Sequence, residues 1–245
     1  MEPECYALLR AVEDVHWWHV GMRCLAAAWA SEGVSPGGRA LDVGCGTGRF
    51  LTELRRQRQA WGIDHSPMAA QIWRQEKVDG VAQARAQRLP FPDGTFALVT
   101  CLDVLYHRDV PDDLWVLREM ARVLQPGGVL ILRVPALAWM RTARDERFHT
   151  RHRYGREELA RLVETAGLTV ERLSYVNALL LPLAIIQRWL GHRFAICKDI
   201  GDRVPPWILN GMARAILGIE AWWLRGHDLP IGLSLLCRAR KPSGG

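Results

Sequence analysis

Three side chains that can handle protons stand close together at Asp103, Tyr106 and His107, directly after the apolar run Phe96 to Leu102. An imidazole titrates near neutral pH, which makes His107 the first candidate general base; its alternative is a capping or hydrogen-bonded structural histidine. A carboxylate near its normal pKa is a poor base for an alcohol, so Asp103 is expected to have a structural or positioning role. A second constellation comprises Gly44, Gly46 and Gly48, with Asp42 before them and Asp64 twenty residues after Gly44. Glycines let the backbone close on a ligand, and the N–H groups opening the next helix attract negative charge. A carboxylate at the distance of Asp64 can accept both hydroxyls of a ribose. A third group, His149, His152 and Tyr154, lies in an arginine-rich stretch. There Arg144, Arg147, Arg151 or Arg153 would clamp a phosphate or carboxylate, and a solvated basic surface is the default reading. His16-Trp17-Trp18-His19 is either an aromatic lid or packing between an N-terminal helix and a sheet. No further ligand cluster lies near His16 and His19 in sequence, so no metal is expected.

The elements that must position these groups read as an alternation. Glu4 to Ser31 has helical spacing over one or two helices, and Ser35-Pro36-Gly37-Gly38 is a turn. Strands are expected at Arg39 to Val43, Ala60 to Ile63 ending in Asp64, Gly80 to Ala84, Phe96 to Leu102, Val129 to Val134, Leu168 to Tyr175 and Ile231 to Ala239. Between them lie helices at Phe50 to Arg58, Pro67 to about Lys77 with Ser66 as cap, Asp112 to Leu124 closed by Pro126-Gly127-Gly128, and Glu157 to Ala166. Pro135 to Arg156 reads as a long basic loop. The apolar segment Asn177 to Leu190 is too short and too interrupted to span a bilayer. After a loop at Asp202 to Pro206, Ile208 to Arg225 forms another helix, and both this helix and the apolar run are expected to be core of a cap rather than membrane anchors. The fold class is therefore α/β: a doubly wound, mostly parallel, seven-stranded Rossmann-like sheet with ligands at the strand C-termini. One domain is expected over 1–245, with a helical arm at 1–35, a core at 36–176, a cap insertion at 177–228 and the last strand at 229–241.

Composition narrows the classes. Of the 245 residues 49% are hydrophobic and 24% charged, which excludes bulk disorder. A net charge of +6 is too diffuse to argue nucleic-acid binding, while an anionic substrate or a peripheral membrane contact stays open. Six cysteines without a C-x-x-C pair suit reduced thiols in a cytoplasmic protein, and Met1 to Arg10 shows no signal peptide. Oligomer formation is compatible with all of this.

Two cofactor classes use a strand, glycine turn and helix followed by an acid about twenty residues on: dinucleotides and S-adenosylmethionine. A dinucleotide turn wants G-x-G-x-x-G, and here Gly48 falls one place early, which disfavours a nucleotide-linked oxidoreductase. Leu41-Asp42-Val43-Gly44-Cys45-Gly46-Thr47-Gly48 resembles the first motif of the class I S-adenosylmethionine-dependent methyltransferases, in particular the type 11 group. Gly62-Ile63-Asp64-His65-Ser66-Pro67-Met68, Leu89 to Phe96 and Arg122 to Gly128 are similar to later motifs in the same order, over about ninety residues. The resemblance implies that Gly44, Gly46 and Gly48 lie against the methionine portion and that Asp42 places its ammonium group. It also implies that Asp64 holds the ribose, that Met68 packs near the adenine and that Gln87 lines its edge, with Cys45, His65, Ala86 and Cys101 as flanking cofactor contacts. Trp17, Trp18, His149, His152 and Tyr154 would touch the acceptor. Two positions depart from the pattern: Arg85 stands where an acid is usual, and Ala97 where an aspartate is common.

The activity so implied is methyl transfer to a small-molecule acceptor, an in-line displacement in which the cofactor supplies the electrophile. O-methylation is the first expectation, then N, then C; an apolar cap would suit a quinone, polyketide or isoprenoid. A catalytically silent cofactor-binding or partner protein is the alternative of a different class. Calorimetry is expected to show binding of S-adenosylmethionine and none of NAD; the opposite preference would restore the oxidoreductase reading.

Overall fold

The computed structural model describes residues 3–34, 37–186 and 204–243. Its centre is a seven-stranded sheet in the order β3-β2-β1-β4-β5-β7-β6. The strands are β1 Ala40–Val43, β2 Ala60–Asp64, β3 Val81–Gln83, β4 Phe96–Leu102, β5 Leu124–Pro135, β6 Thr169–Val176 and β7 Ser234–Arg240. Only β7 runs antiparallel to its neighbours. The chain winds outward from β1 toward β3, then returns to begin again at β4 on the other side of β1. That reversal opens a crevice at the C-terminal ends of β1 and β4, where an open α/β sheet receives ligands.

Strand alternation sends side chains to two cores. Leu41, Val43, Val99 and Leu132 pack on one face with Leu117 and Met120 of α5 (Asp113–Val123) and Val163 of α7 (Arg156–Thr165). Ala40, Leu98 and Ile131 pack on the other with Trp29 of α2 (Trp17–Ser31), Leu51 of α3 (Arg49–Arg55) and Leu217 of the cap helix Trp207–Trp223. Local signals set the helix starts: Ser66 Oγ accepts the Met68 N–H ahead of Pro67 in α4 (Pro67–Glu76), and Asp112 accepts the Trp115 N–H.

Several expectations change. The arm is two helices, α1 (Pro3–Val12) and α2, because His16 ends the break between them as N-cap and accepts the Trp18 N–H at 3.2 Å. Strand β5 begins five residues early: Leu124 pairs with Phe96 ahead of a register shift, so Pro126-Gly127-Gly128 lies inside the strand as an irregularity instead of closing α5. The basic stretch after β5 is not a plain solvated loop. It contains a 3-10 turn, Ala138–Met140, and the short α6, Ala143–Arg147. Arg153 pairs with the buried Asp145 at 2.8 Å and donates to Ala136 O, while Arg151 pairs with Asp113. The cap is also not wholly core: Leu180 and Leu181 are buried, but Leu183, Trp222 and Trp223 face outward. Residues 181–186 are helical; the turn residues Ser35 and Pro36, the apolar run beyond Ile186, Cys197 and the start of the loop at Asp202 lie outside the described residues.

Two buried polar residues hold the cap in place. Glu220 accepts N–H groups from Asn177, Ala178 (2.8 Å) and Leu179 (3.0 Å), capping the turn that leads into residues 181–186. Asn210 takes the Trp17 N–H at 2.9 Å and donates to Val15 O at 2.8 Å, fastening the α1–α2 break to the cap helix. Asn210→Ala is expected to lower stability by about 1–3 kcal/mol, since two hydrogen bonds are lost and two backbone groups left unpaired. A urea midpoint equal to wild type would show that the arm holds without this tie.

Candidate active site

The site begins at the turn after β1. Gly44, Gly46 and Gly48 all have positive φ (76°, 53° and 85°), a region that L side chains rarely adopt. At Gly44 a Cβ would also stand 2.1 Å from Val104 Cγ2, whereas at Gly46 it would meet nothing within 4 Å. The peptide at Gly46 is held from both sides: its N–H donates to Asp64 Oδ2 at 2.9 Å and its carbonyl accepts from the Trp73 indole at 2.8 Å. Asp64 Oδ1 accepts the Ser66 N–H at 2.9 Å and faces the Tyr6 hydroxyl at 3.4 Å. Parallel pairing of β1 with β2 puts this carboxylate beside the turn, so the sheet register and the site are one construction. Asp42, fully buried, accepts from Thr100 Oγ1 at 2.7 Å, and burial pushes its pKa up to about 7, with Asp64's charge adding and the Thr100 bond opposing.

The helical arm closes over this turn. Glu13, buried in the break between α1 and α2, accepts from Thr47 Oγ1 at 2.7 Å, and Arg23 donates to the Glu13 carbonyl. Asp14 pairs with Arg49, and Arg10 with Glu76. Opposite, Asp103 takes a positive φ of 61° and forms a two-pronged ion pair with the buried Arg133, whose guanidinium lies 5.1 Å over the Trp18 ring. Next to this, Asp109 Oδ2 lies 3.0 Å from His65 Nε2 and 3.2 Å from His107 Nδ1, and the Asp109 carbonyl accepts from Gln87 at 2.9 Å. Burial pushes the His107 pKa down to about 4, against the pull of Asp109, so its imidazole is neutral at physiological pH.

These groups border one cavity of about 1650 Å³. A single small ligand occupies roughly 300–1,000 Å³, so there is room for two. Asp42, Gly44, Cys45, Gly46, Asp64, His65, Ala86 and Gln87 line it together with Trp17, Trp18, Asp103, Tyr106 and His107, the His65 and His107 rings standing 6.0 Å apart and both facing Asp109. Open space above Gly46, with the two carboxylates Asp42 and Asp64 beside it, suits a ligand that carries a cation and a diol. Other expected contacts fall elsewhere. Cys101 is sealed in β4 and Met68 packs with Tyr6 and Trp73. Gly48 begins α3 against Val78. Tyr154 is buried and donates to Asp113 at 2.8 Å, His152 reaches Glu158 at 2.7 Å, and His149 touches the His107 ring from outside the wall. None of these expected contacts lines the cavity.

Sequence reading missed Tyr6, Glu13, Trp73, Asp109 and Arg133. For Arg133 there was a signal, a lone charge in the apolar strand run Val129 to Val134, which must find a partner when buried. No local pattern marks Tyr6, whose partner Asp64 lies 58 residues away.

Strand order, glycine turn and acid at the end of β2 together define a class I methyltransferase fold. Residues 22–173 match the family described as Methyltransferase domain, and the chain belongs to that family. Among curated relatives it is 39% identical over 107 residues to the demethylmenaquinone methyltransferase of Lysinibacillus sphaericus, and 40% identical over 107 residues to that of Bacillus licheniformis. These matches cover 40% of this chain and 44% and 45% of the relatives, so the chain spans under half the length of either. Among solved structures, a chain of the Haloferax volcanii complex between the Trm112 methyltransferase activator and a methyltransferase superposes with a TM-score of 0.65 at 22% identity, over 99% of this chain and 96% of that one. The [4+2]-cyclase SpnF superposes with a TM-score of 0.59 at 24% identity, over 91% and 80%. At such identities the likeness is one of fold.

Asp42 binds its proton more tightly in the folded protein than in the unfolded chain, where an aspartate titrates near pH 3.9. Its contribution to stability is therefore complete below about pH 4 and is lost as the pH rises to about 7. Asp42→Asn is expected to flatten that limb of a stability–pH curve; an unchanged slope would assign it to Glu13 and Asp113, whose carboxyls burial also pushes up.

Proposed function

We propose that this protein transfers a methyl group from S-adenosylmethionine to a small apolar acceptor bearing a hydroxyl group. The supporting observation is the single cavity that joins the carboxylate-flanked glycine turn to an aromatic wall and a neutral imidazole. Asp42 would hold the cofactor's ammonium group, Asp64 its ribose, Gly44 and Gly46 its methionine portion, and Ala86 with Gln87 the edge of its adenine. When bound, the cofactor supplies an electrophilic methyl on a sulfonium. Trp17, Trp18 and Tyr106 orient the acceptor and exclude water. His107, uncharged at neutral pH, accepts a hydrogen bond from the acceptor hydroxyl and takes its proton once the forming bond to the methyl carbon has made that oxygen far more acidic than a free alcohol. Asp103 does not serve as base, because its charge is matched by Arg133. We read the whole chain as one catalytic domain with its arm at 1–35 and cap at 177–228, working in the cytoplasm; among the described residues no helix is long and apolar enough to cross a membrane.

Transfer to a ring carbon is a second reading, favoured by the demethylmenaquinone methyltransferases among the relatives. Incubation with methyl-labelled S-adenosylmethionine and a panel of apolar phenols and quinols is expected to place the label on oxygen, with His107→Ala lowering kcat by about 10²–10⁴. Label on carbon would establish the second reading, and cofactor binding without turnover on any acceptor would make the protein a silent binder.

A further inference from the structure

Twelve of the sixteen exposed large hydrophobic residues lie between 179 and 223, in the cap. On the cap helix they form an outward stripe: Ile208, Met212, Ile219 and Trp222 recur at spacings of three, four and seven residues with Ala215 between them, each of the four at least 55% exposed. The inward stripe, Asn210, Leu217 and Glu220, is buried. A helix apolar on both faces, with one face bare, is not explained by its own packing, because soluble proteins rarely leave such a patch uncovered.

We propose that the cap rests this face on the surface of an anionic lipid bilayer. Three observations select a lipid surface as the occupant. Trp207, 84% exposed, stands at one end of the helix and Trp222 with Trp223 at the other, the residue type that settles at the boundary between acyl chains and headgroups. The helix's one exposed charge is the guanidinium of Arg214, followed just beyond its end by the exposed Arg225; its one carboxylate, Glu220, is buried and committed to three backbone N–H groups. These cations suit anionic headgroups, and the acids that share the groove beside Arg214, Asp14 and Glu53, are themselves paired with Arg23, Arg49 and Arg56. Finally, the short helix at 181–186 also exposes Leu183 and Ile186, and its Ala184 forms part of the cavity wall with Asn177. The cap thus carries exposed apolar surface and also a part of the cavity wall, and no helix among the described residues is long and apolar enough to do more than lie in the interface.

This surface stands independently of methyl transfer. The full chain is expected to co-sediment at low salt with vesicles of phosphatidylcholine and phosphatidylglycerol, and more weakly with phosphatidylcholine alone. Ile208→Glu/Ile219→Glu should reduce partitioning by about tenfold or more, and Arg214→Ala/Arg225→Ala should reduce only the preference for the anionic vesicles. Circular dichroism and calorimetry with S-adenosylmethionine report that each variant is folded. Wild-type protein left in the supernatant with both vesicles, or a folded glutamate variant that sediments like wild type, would overturn the proposal. A stable wild-type dimer that the glutamates split would also overturn it and assign the face to a second copy. Absence of S-adenosylmethionine binding in the wild type would overturn the proposed function and leave the docking result to stand by itself.

Discussion

The peptide at Gly46 is gripped at both ends, its N–H by a carboxylate at the end of β2 and its carbonyl by an indole on α4. Neither partner is near in sequence, and both arrive only when β1 and β2 pair in register and α4 folds back over them. A backbone with three left-handed glycines would otherwise be free to sample many conformations. Here the sheet spends its registration on fixing one. The cleft therefore exists before a ligand reaches it, which lowers the ordering cost of binding.

Charge is handled differently at the two ends of the cleft. Near the turn, Asp42 is kept in a dry place where the Thr100 hydroxyl and the more distant Arg133 only partly support its charge, so it favours a cation. On the wall around Tyr106 and His107, Arg133 is paired with Asp103, while Asp109 faces the imidazoles of His65 and His107. Trp17, Trp18, Tyr106 and Trp115 make much of this lining aromatic, beside the cations Arg108 and Arg147. Two of the arginines that suggested an anion clamp in the sequence are committed within the protein: Arg151 and Arg153 brace the segment after β5 against Asp113 and Asp145, while Arg147 lines the cavity.

Much of the fold could be read from residue order because each parallel strand is a short apolar run with a turn at its end, and because Ser66-Pro67 and Asp112 announce their helices locally. The donor end of the site was legible for the same reason: its glycines and Asp64 lie in contiguous motifs tied to strand ends. What escaped is whatever depends on distant chain segments meeting. Tyr6 and Glu13 reach the turn from the arm, and Asn210 reaches the arm from the cap, with no period or spacing to betray them. The misplacement of Tyr154 and His152 has a related cause, since residue type alone cannot tell which side of a segment faces the cleft. Trp222 and Trp223 were expected inside because tryptophan usually is, and the pattern of one helix cannot say whether anything covers its second face.

The arm touches both halves of the cleft. Glu13 holds Thr47 above the glycine turn, and a few residues later Trp18 lies over Arg133 on the opposite wall, with the whole break pinned by Asn210. Any displacement of the arm would break contacts on both sides at once, exposing a buried carboxyl on one and a guanidinium on the other. The same short pair of helices thus braces the glycine turn and the opposite wall together, so that loosening it at Asn210 would be felt at both.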